Sequence, residues 1–196
     1  MNAKAEQRER THETILDSAS RLLREKGVAG TRVAEVMHGA GLTVGGFYAH
    51  FASKDELIDD TLRRTATLMR ERLFARLEDK PAADRAVVVL KRYLSPTHRD
   101  EFARGCPLPA VVGEVGTTAR EHSPVLAEEL GCLADALEAH LLQRRRISGR
   151  ALALGLVALM YGGLSLSRAL RGTGLSGEML KACRALGETA LSDERA

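Results

Sequence analysis

The sequence predicts an all-α fold, and three observations carry the prediction. Apolar residues recur at helical spacing from one end of the chain to the other. Leu, Ala, Arg and Glu dominate, and all of them favour helix. Strand formers fall into no alternating run. Hydrophobic residues make up 44% and charged residues 28% of the 196 positions, the balance of a globular chain.

The elements follow in order. Ile15, Leu16, Ala19, Leu22 and Leu23 form one apolar face, which predicts a first helix over 9–26, stopped by Gly27. Thr31 is placed to cap a short second helix over 32–38, which "HGAG" breaks; Thr43 is placed to cap a third over 43–50. Ser53 and Glu56 in "SKDE" make a capping box for a long fourth helix that ends at Lys80-Pro81. Further helices are expected at 82–94, 108–120, 124–145, 149–171 and 175–191, with Pro81, Pro107, Pro109 and Pro124 at or near starts. Two parts result: a three-helix unit over 1–53 and a larger helical domain over 54–196.

The third helix is unusual. "LTVGGFYAHF" holds two adjacent glycines, each costing about 1 kcal/mol in a helix, and three of the chain's seven Phe and Tyr residues. Two short helices joined by a glycine-containing turn, behind a longer packing helix, describe a helix-turn-helix. In that arrangement the second short helix enters the DNA major groove, its N-terminal residues leading. Glycine there removes bulk and lets the backbone approach bases or phosphates. Thr43, Val44, Gly46, Tyr48 and His50 are the expected DNA-facing residues, with Val44 suited to a thymine methyl and the Tyr48 hydroxyl to a phosphate. Thr31, Arg32 and Lys54 sit at helix starts, where charge and free N–H groups suit phosphates. Phe47 and Phe51 are expected in the core. Residues 1–54 carry eight Lys/Arg and six Asp/Glu, so few phosphates are neutralised per copy. Lys4, Arg8 and Arg10 fit either a basic arm ahead of the first helix or a solvated tail.

Residues 31–57, "TRVAEVMHGAGLTVGGFYAHFASKDEL", resemble the N-terminal DNA-binding domain of the TetR/AcrR family of transcriptional regulators. The resemblance implies an all-helical homodimer that binds a palindromic double-stranded DNA operator, mostly represses, and lets go when an effector binds the larger domain. Met37 stands where the family often has alanine, and Val44 where related members often carry histidine, so base preference cannot be borrowed from relatives.

In the larger domain, Met179, Leu180, Cys183, Leu186, Gly187 and Ala190 form a stripe, and Ala151/Gly155 and Ala158/Gly162 are small pairs four apart. Both patterns suit a dimer of helix pairs; helices covering their own core are the alternative. Tyr93, Phe102, Met160 and Tyr161 are candidate lining of an effector pocket, and equally core residues. Cys106, beside Pro107 and near Arg104, is a candidate sensor thiol for an electrophile, or else a small buried residue. The run "QRRRISGR" over 143–150 is expected to be a solvated loop.

Other classes fit less well. Six scattered histidines show no catalytic or metal spacing, and no G-x-x-x-x-G-K loop occurs, so neither an enzyme nor a cofactor or metal is expected. Three distant cysteines suit a reducing cytoplasm. The charged N-terminus lacks the apolar core of a signal peptide, and the uncharged run 151–167 is short for a membrane span. An architectural DNA binder would not need so large a second domain. Whether the regulator represses or activates stays open.

Overall fold

A computed structural model of the chain describes residues 3–101, 105–141 and 148–192, and every regular element among them is helical. Nine α-helices are described: α1 Ala3–Gly30, α2 Val33–Gly39, α3 Lys54–Phe74, α4 Arg85–Tyr93, α5 Pro96–Asp100, α6 Leu108–Val115, α7 Ser123–Glu138, α8 Gly149–Ala169 and α9 Gly174–Ser192. Short 3-10 segments occupy Val44–Ala49, Ala82–Asp84 and Arg120–His122.

Two compact units divide these elements: Met1–Thr67 with Cys106–Ala127, and Leu68–Gly105 with Glu128–Ala196. The division at residue 53 expected from the sequence falls inside the first unit. The start of α3 packs there: Leu57 joins the core of Ile15, Leu16, Ala19, Leu22, Val36, Met37, Phe47 and Phe51. Arg64 reaches Glu13 at 2.6 Å and Asp17 at 2.8 Å, and the Ser20 and Thr65 hydroxyls meet at 3.1 Å.

Helix α1 begins at Ala3, so Lys4, Arg8 and Arg10 lie on a helix and form no separate arm. Gly27 interrupts α1, as its sequence position suggests, with φ 71° and ψ −169°, but one more turn follows before Gly30. The interruption leaves two backbone donors, and the Glu114 carboxylate of α6 accepts from both: Val28 N–H at 3.0 Å and Ala29 N–H at 2.8 Å. A Cβ at Gly27 would lie 1.8 Å from Glu114 Oε1, so positive φ and close approach both require glycine.

Helix α2 ends as "HGAG" predicts. Gly41 takes φ 72°, Leu42 N–H donates to Met37 O at 2.9 Å and Gly41 N–H donates to His38 O at 3.0 Å. Those two bonds are a Schellman closure. The capping box at α3 also forms, one residue wider than expected: Glu56 N–H donates to Ser53 Oγ at 3.1 Å, while the Glu56 carboxylate accepts from Ala52 N–H. α3 stops at Phe74, before Lys80-Pro81. Arg76 turns left-handed at φ 53°, and Arg92 donates to the Leu73 and Ala75 carbonyls at 2.6 and 2.8 Å, capping the exposed end.

In the second unit α4, α8 and α9 pack together, and α5 lies on α8. Close approach is made by Gly163, where a Cβ would meet Cys183 Sγ at 2.8 Å, and by Gly187, where it would meet Leu90 Cδ2 at 2.6 Å. Ser167 and Ser176 exchange hydroxyl-to-carbonyl bonds, each 2.7 Å. α5 was not expected; Ser95 caps it, accepting from His98 N–H at 3.1 Å, with Pro96 in the first turn. Burial pushes the His98 imidazole down to about 4, so it is neutral at pH 7 and its Nδ1–H donates to Tyr93 O at 2.7 Å.

Candidate nucleic-acid interface

The third predicted helix is a six-residue 3-10 segment, Val44–Ala49, not an α-helix. Two adjacent glycines give little helix propensity, and tighter winding needs only i to i+3 bonds. Thr43 stands at its N-cap position in extended conformation, and its side chain makes no capping bond. The segment is held from below. Phe47 and Phe51 are buried and stack at 5.7 Å between centroids, His12 stacks on Phe51 at 4.6 Å, and the buried Met37 lies under Gly46. At the far end Arg8 donates to Ala49 O at 3.1 Å. Arg8, expected in a basic arm or solvated tail, instead supports this segment, and His12 was missed by sequence reasoning. Their spacing of four puts them on one face of α1, which is a signal once α1 is known to start so early.

The outer side is bare. Val44 is 49% and Tyr48 76% exposed, and Thr43, Gly45 and Gly46 also face solvent. Neither Gly45 nor Gly46 has positive φ. A Cβ at Gly45 would meet nothing within 4 Å, and one at Gly46 would only touch Met37 Cε at 3.8 Å. Their own fold therefore gives no reason for either to be glycine.

The remaining expected contacts divide. Arg32 is exposed, 4.0 Å from Glu35. Thr31 is fully buried and its hydroxyl donates to Gly27 O at 2.7 Å, so the side chain secures the α1 interruption and offers nothing to DNA. It does not cap α2 either: Arg32 occupies the N-cap position. The Lys54 ammonium donates to Val28 O at 2.9 Å, which commits one of its three donors to the fold. His50 is half-buried; burial first, then His12 and Arg8, push its imidazole below the usual range, so it meets a ligand as a neutral ring.

Residues 15–61 match the profile of the bacterial regulatory proteins of the tetR family. That stretch resembles the DNA-binding region of TetR-family regulators. The HTH-type transcriptional repressor KstR2 of Mycobacterium tuberculosis is 38% identical over 65 residues, 33% of this chain and 30% of that protein. The Rhodococcus jostii KstR2 is 39% identical over 49 residues, 25% of this chain and 24% of that one. The matches thus span less than a third of these relatives' length. Solved structures share the fold over nearly the whole chain. A TetR regulator from Chloroflexus aurantiacus superposes with TM-score 0.78 at 24% identity, over 96% of this chain and 98% of that one. The reduced form of Escherichia coli NemR gives 0.78 at 20% identity, over 91% and 95%.

The effector candidates are dispersed. Tyr93 and Met160 are buried, Tyr161 is half-exposed, and Phe102 and Arg104 lie outside the described residues, as does most of the 143–150 run. Cys106 precedes α6, is in no disulfide and is only 5% exposed.

One further surface belongs to the second unit. On α8, Ala151, Leu154, Gly155, Ala158, Leu166 and Ala169 all face solvent, and no charged residue interrupts them. A Cβ at Gly155 or Gly162 would meet nothing within 4 Å. On α9, Leu175, Ala182 and Leu186 are exposed, Leu186 at 62%. Of the predicted α9 stripe, Leu180 and Gly187 turn inward and Leu186 outward. By length and composition α8 also passes for a membrane span, with 39% of its apolar window buried in the fold.

Proposed function

We propose that this protein is a cytoplasmic transcriptional repressor that binds a palindromic DNA operator as a homodimer and is released by a small-molecule or electrophile effector. The carrying observation is the open pair Gly45-Gly46: two costly residues that the fold does not use, on an exposed surface pinned from beneath by Phe47, Phe51 and Met37. A glycine pair in that setting serves a surface that another molecule must approach closely. The major groove, about 12 Å wide, is such a surface for a helix. Val44 at the leading edge selects bases by apolar contact, Tyr48 and Arg32 reach the backbone, and Lys54 adds charge with the donors its Val28 bond leaves over. Repression, as opposed to activation, is carried over from the KstR2 relatives, which are repressors by name.

Homodimerisation is supported by the uncharged outward face of α8 and the exposed Leu175, Ala182 and Leu186 of α9. A second copy supplies the cover that such faces call for, and two reading segments then address a two-fold symmetric site. For the effector, a small molecule is favoured over direct attack on Cys106, because the thiol is buried. Selection of bound sequences from a random DNA pool tests the central reading. An enriched inverted repeat, bound by two copies and blocking transcription in vitro, is expected. An unenriched pool would overturn DNA recognition, and stimulated transcription from an enriched site would make the protein an activator. Alkylation of the native, DNA-bound protein decides the thiol: release that is absent in Cys106→Ser assigns the electrophile response to Cys106.

A further inference from the structure

Histidine 122 has half of its hydrogen-bonding capacity unused inside the protein. Its side chain is fully buried, and Nδ1 lies 2.7 Å from Asp59 Oδ1. A carboxylate there only accepts, so Nδ1 carries the proton, and in the neutral ring Nε2 is the nitrogen with the lone pair. Nε2 is buried and has no hydrogen-bond partner. It is aimed at two carboxylates: Glu121 Oε1 is 3.9 Å away, and the donor atoms of Asp55, Glu121 and His122 all lie within 4.8 Å of one another. Asp55 and Glu121 are exposed, and among the described residues neither pairs with a lysine or arginine.

We infer that Asp55, Glu121 and His122 bind a divalent transition-metal ion of the zinc type. One imidazole and two carboxylates form a borderline nitrogen–oxygen donor set, suited to Zn²⁺ over thiophilic ions and over Mg²⁺ or Ca²⁺, which favour all-oxygen shells. Bonds of about 2.0–2.2 Å in a tetrahedron place donors roughly 3.4 Å apart. The two exposed carboxylates close the remaining gap by small side-chain rotations, while His122 stays fixed. Asp59 acts as the orienting partner that holds the imidazole tautomer, a common arrangement behind metal-bound histidine. The site's construction explains the register. Asp55 and Asp59 are four apart in the first turns of α3, hence on one face, and the Arg120–His122 turn lays Glu121 and His122 against it. Solvent on the exposed side supplies a fourth ligand and an entry path. This inference is independent of the DNA and dimer proposals.

The test uses the tag-free, metal-stripped full chain, titrated with Zn²⁺ by calorimetry and in competition with a chromophoric chelator. One Zn²⁺ per chain is expected, with a raised melting temperature and no displacement by millimolar Mg²⁺. The double variant Asp55→Asn/Glu121→Gln lies on the surface, and its fold is checked by circular dichroism. It should bind at least tenfold more weakly, whereas His122→Gln risks the fold and is secondary. Nitrogen NMR of the wild-type chain should show the His122 Nε2 resonance move on Zn²⁺ addition. No uptake at micromolar Zn²⁺ overturns the site. So does uptake that the double variant retains, which would place the ion elsewhere, for instance at the exposed Cys132.

Discussion

Two surfaces of this chain leave glycine and apolar side chains in water, and they differ in what lies around them. The Val44–Ala49 segment is short, backed by stacked aromatics, carries the exposed Tyr48, and is flanked in the sequence by the cations Arg32 and Lys54. The outward face of α8 is long, carries no charge, and continues onto Leu175, Ala182 and Leu186 of α9. Polar and cationic edges around a small bare centre suit a polyanion; an extended uncharged stripe with small residues suits another helix pair. Open glycines alone do not name the partner. Their borders do.

Breaking the second surface should have the largest effect. Leu154→Glu with Leu186→Glu places unpaired charge in a buried interface, at about 3–5 kcal/mol. Dimer association measured by light scattering should weaken by about 1,000-fold, with helicity unchanged; a dimer that persists would move the interface elsewhere. Next comes a contrast between open and filled glycines. Gly45→Val should leave the melting temperature nearly unchanged but weaken operator binding by about 100-fold, in line with the roughly 1–3 kcal/mol carried by good base contacts. Gly187→Ala, where Leu90 already stands 2.6 Å from the added Cβ, should instead destabilise the fold by about 1–3 kcal/mol in urea unfolding. Equal thermal losses in both would show that the two kinds of glycine are not distinct. The smallest effect is expected from Tyr48→Phe. Losing one phosphate hydrogen bond, about 1 kcal/mol, should weaken binding a few-fold for every DNA sequence alike. Loss restricted to particular bases would reassign Tyr48 to base readout.

Features governed by neighbours in sequence were legible in advance. The Gly41 turn and the box at Ser53 and Glu56 each depend on residues within one or two helical turns, and the inward side of Phe47 and Phe51 was legible from their apolar rings. Features set by distant partners were not. Thr31 has the composition of a helix cap, but the Gly27 carbonyl, freed by the break in α1, takes its hydroxyl. The early end of α3 depends on Arg92 reaching back to Leu73 and Ala75. His122 gave no metal spacing because Asp55 and Asp59 arrive from more than sixty residues upstream, by way of the fold. The reading segment lies between these cases. Its place and outward residues were legible, while its 3-10 winding followed from a glycine pair that sequence patterns alone assign to a weak α-helix.

The carboxylate of Glu114 bears on how this protein can be taken apart. It satisfies two backbone donors in the last turn of α1, 86 and 85 residues earlier in the chain. The hydrophobic cluster beneath that turn likewise draws Val111, Ala119 and Val125 from the later stretch. A fragment cut at Thr67 would therefore carry the whole reading segment and still lack the acceptor that completes its supporting helix. The N-terminal helices are no transplantable cassette: they become whole only after more than half of the polypeptide has been synthesised.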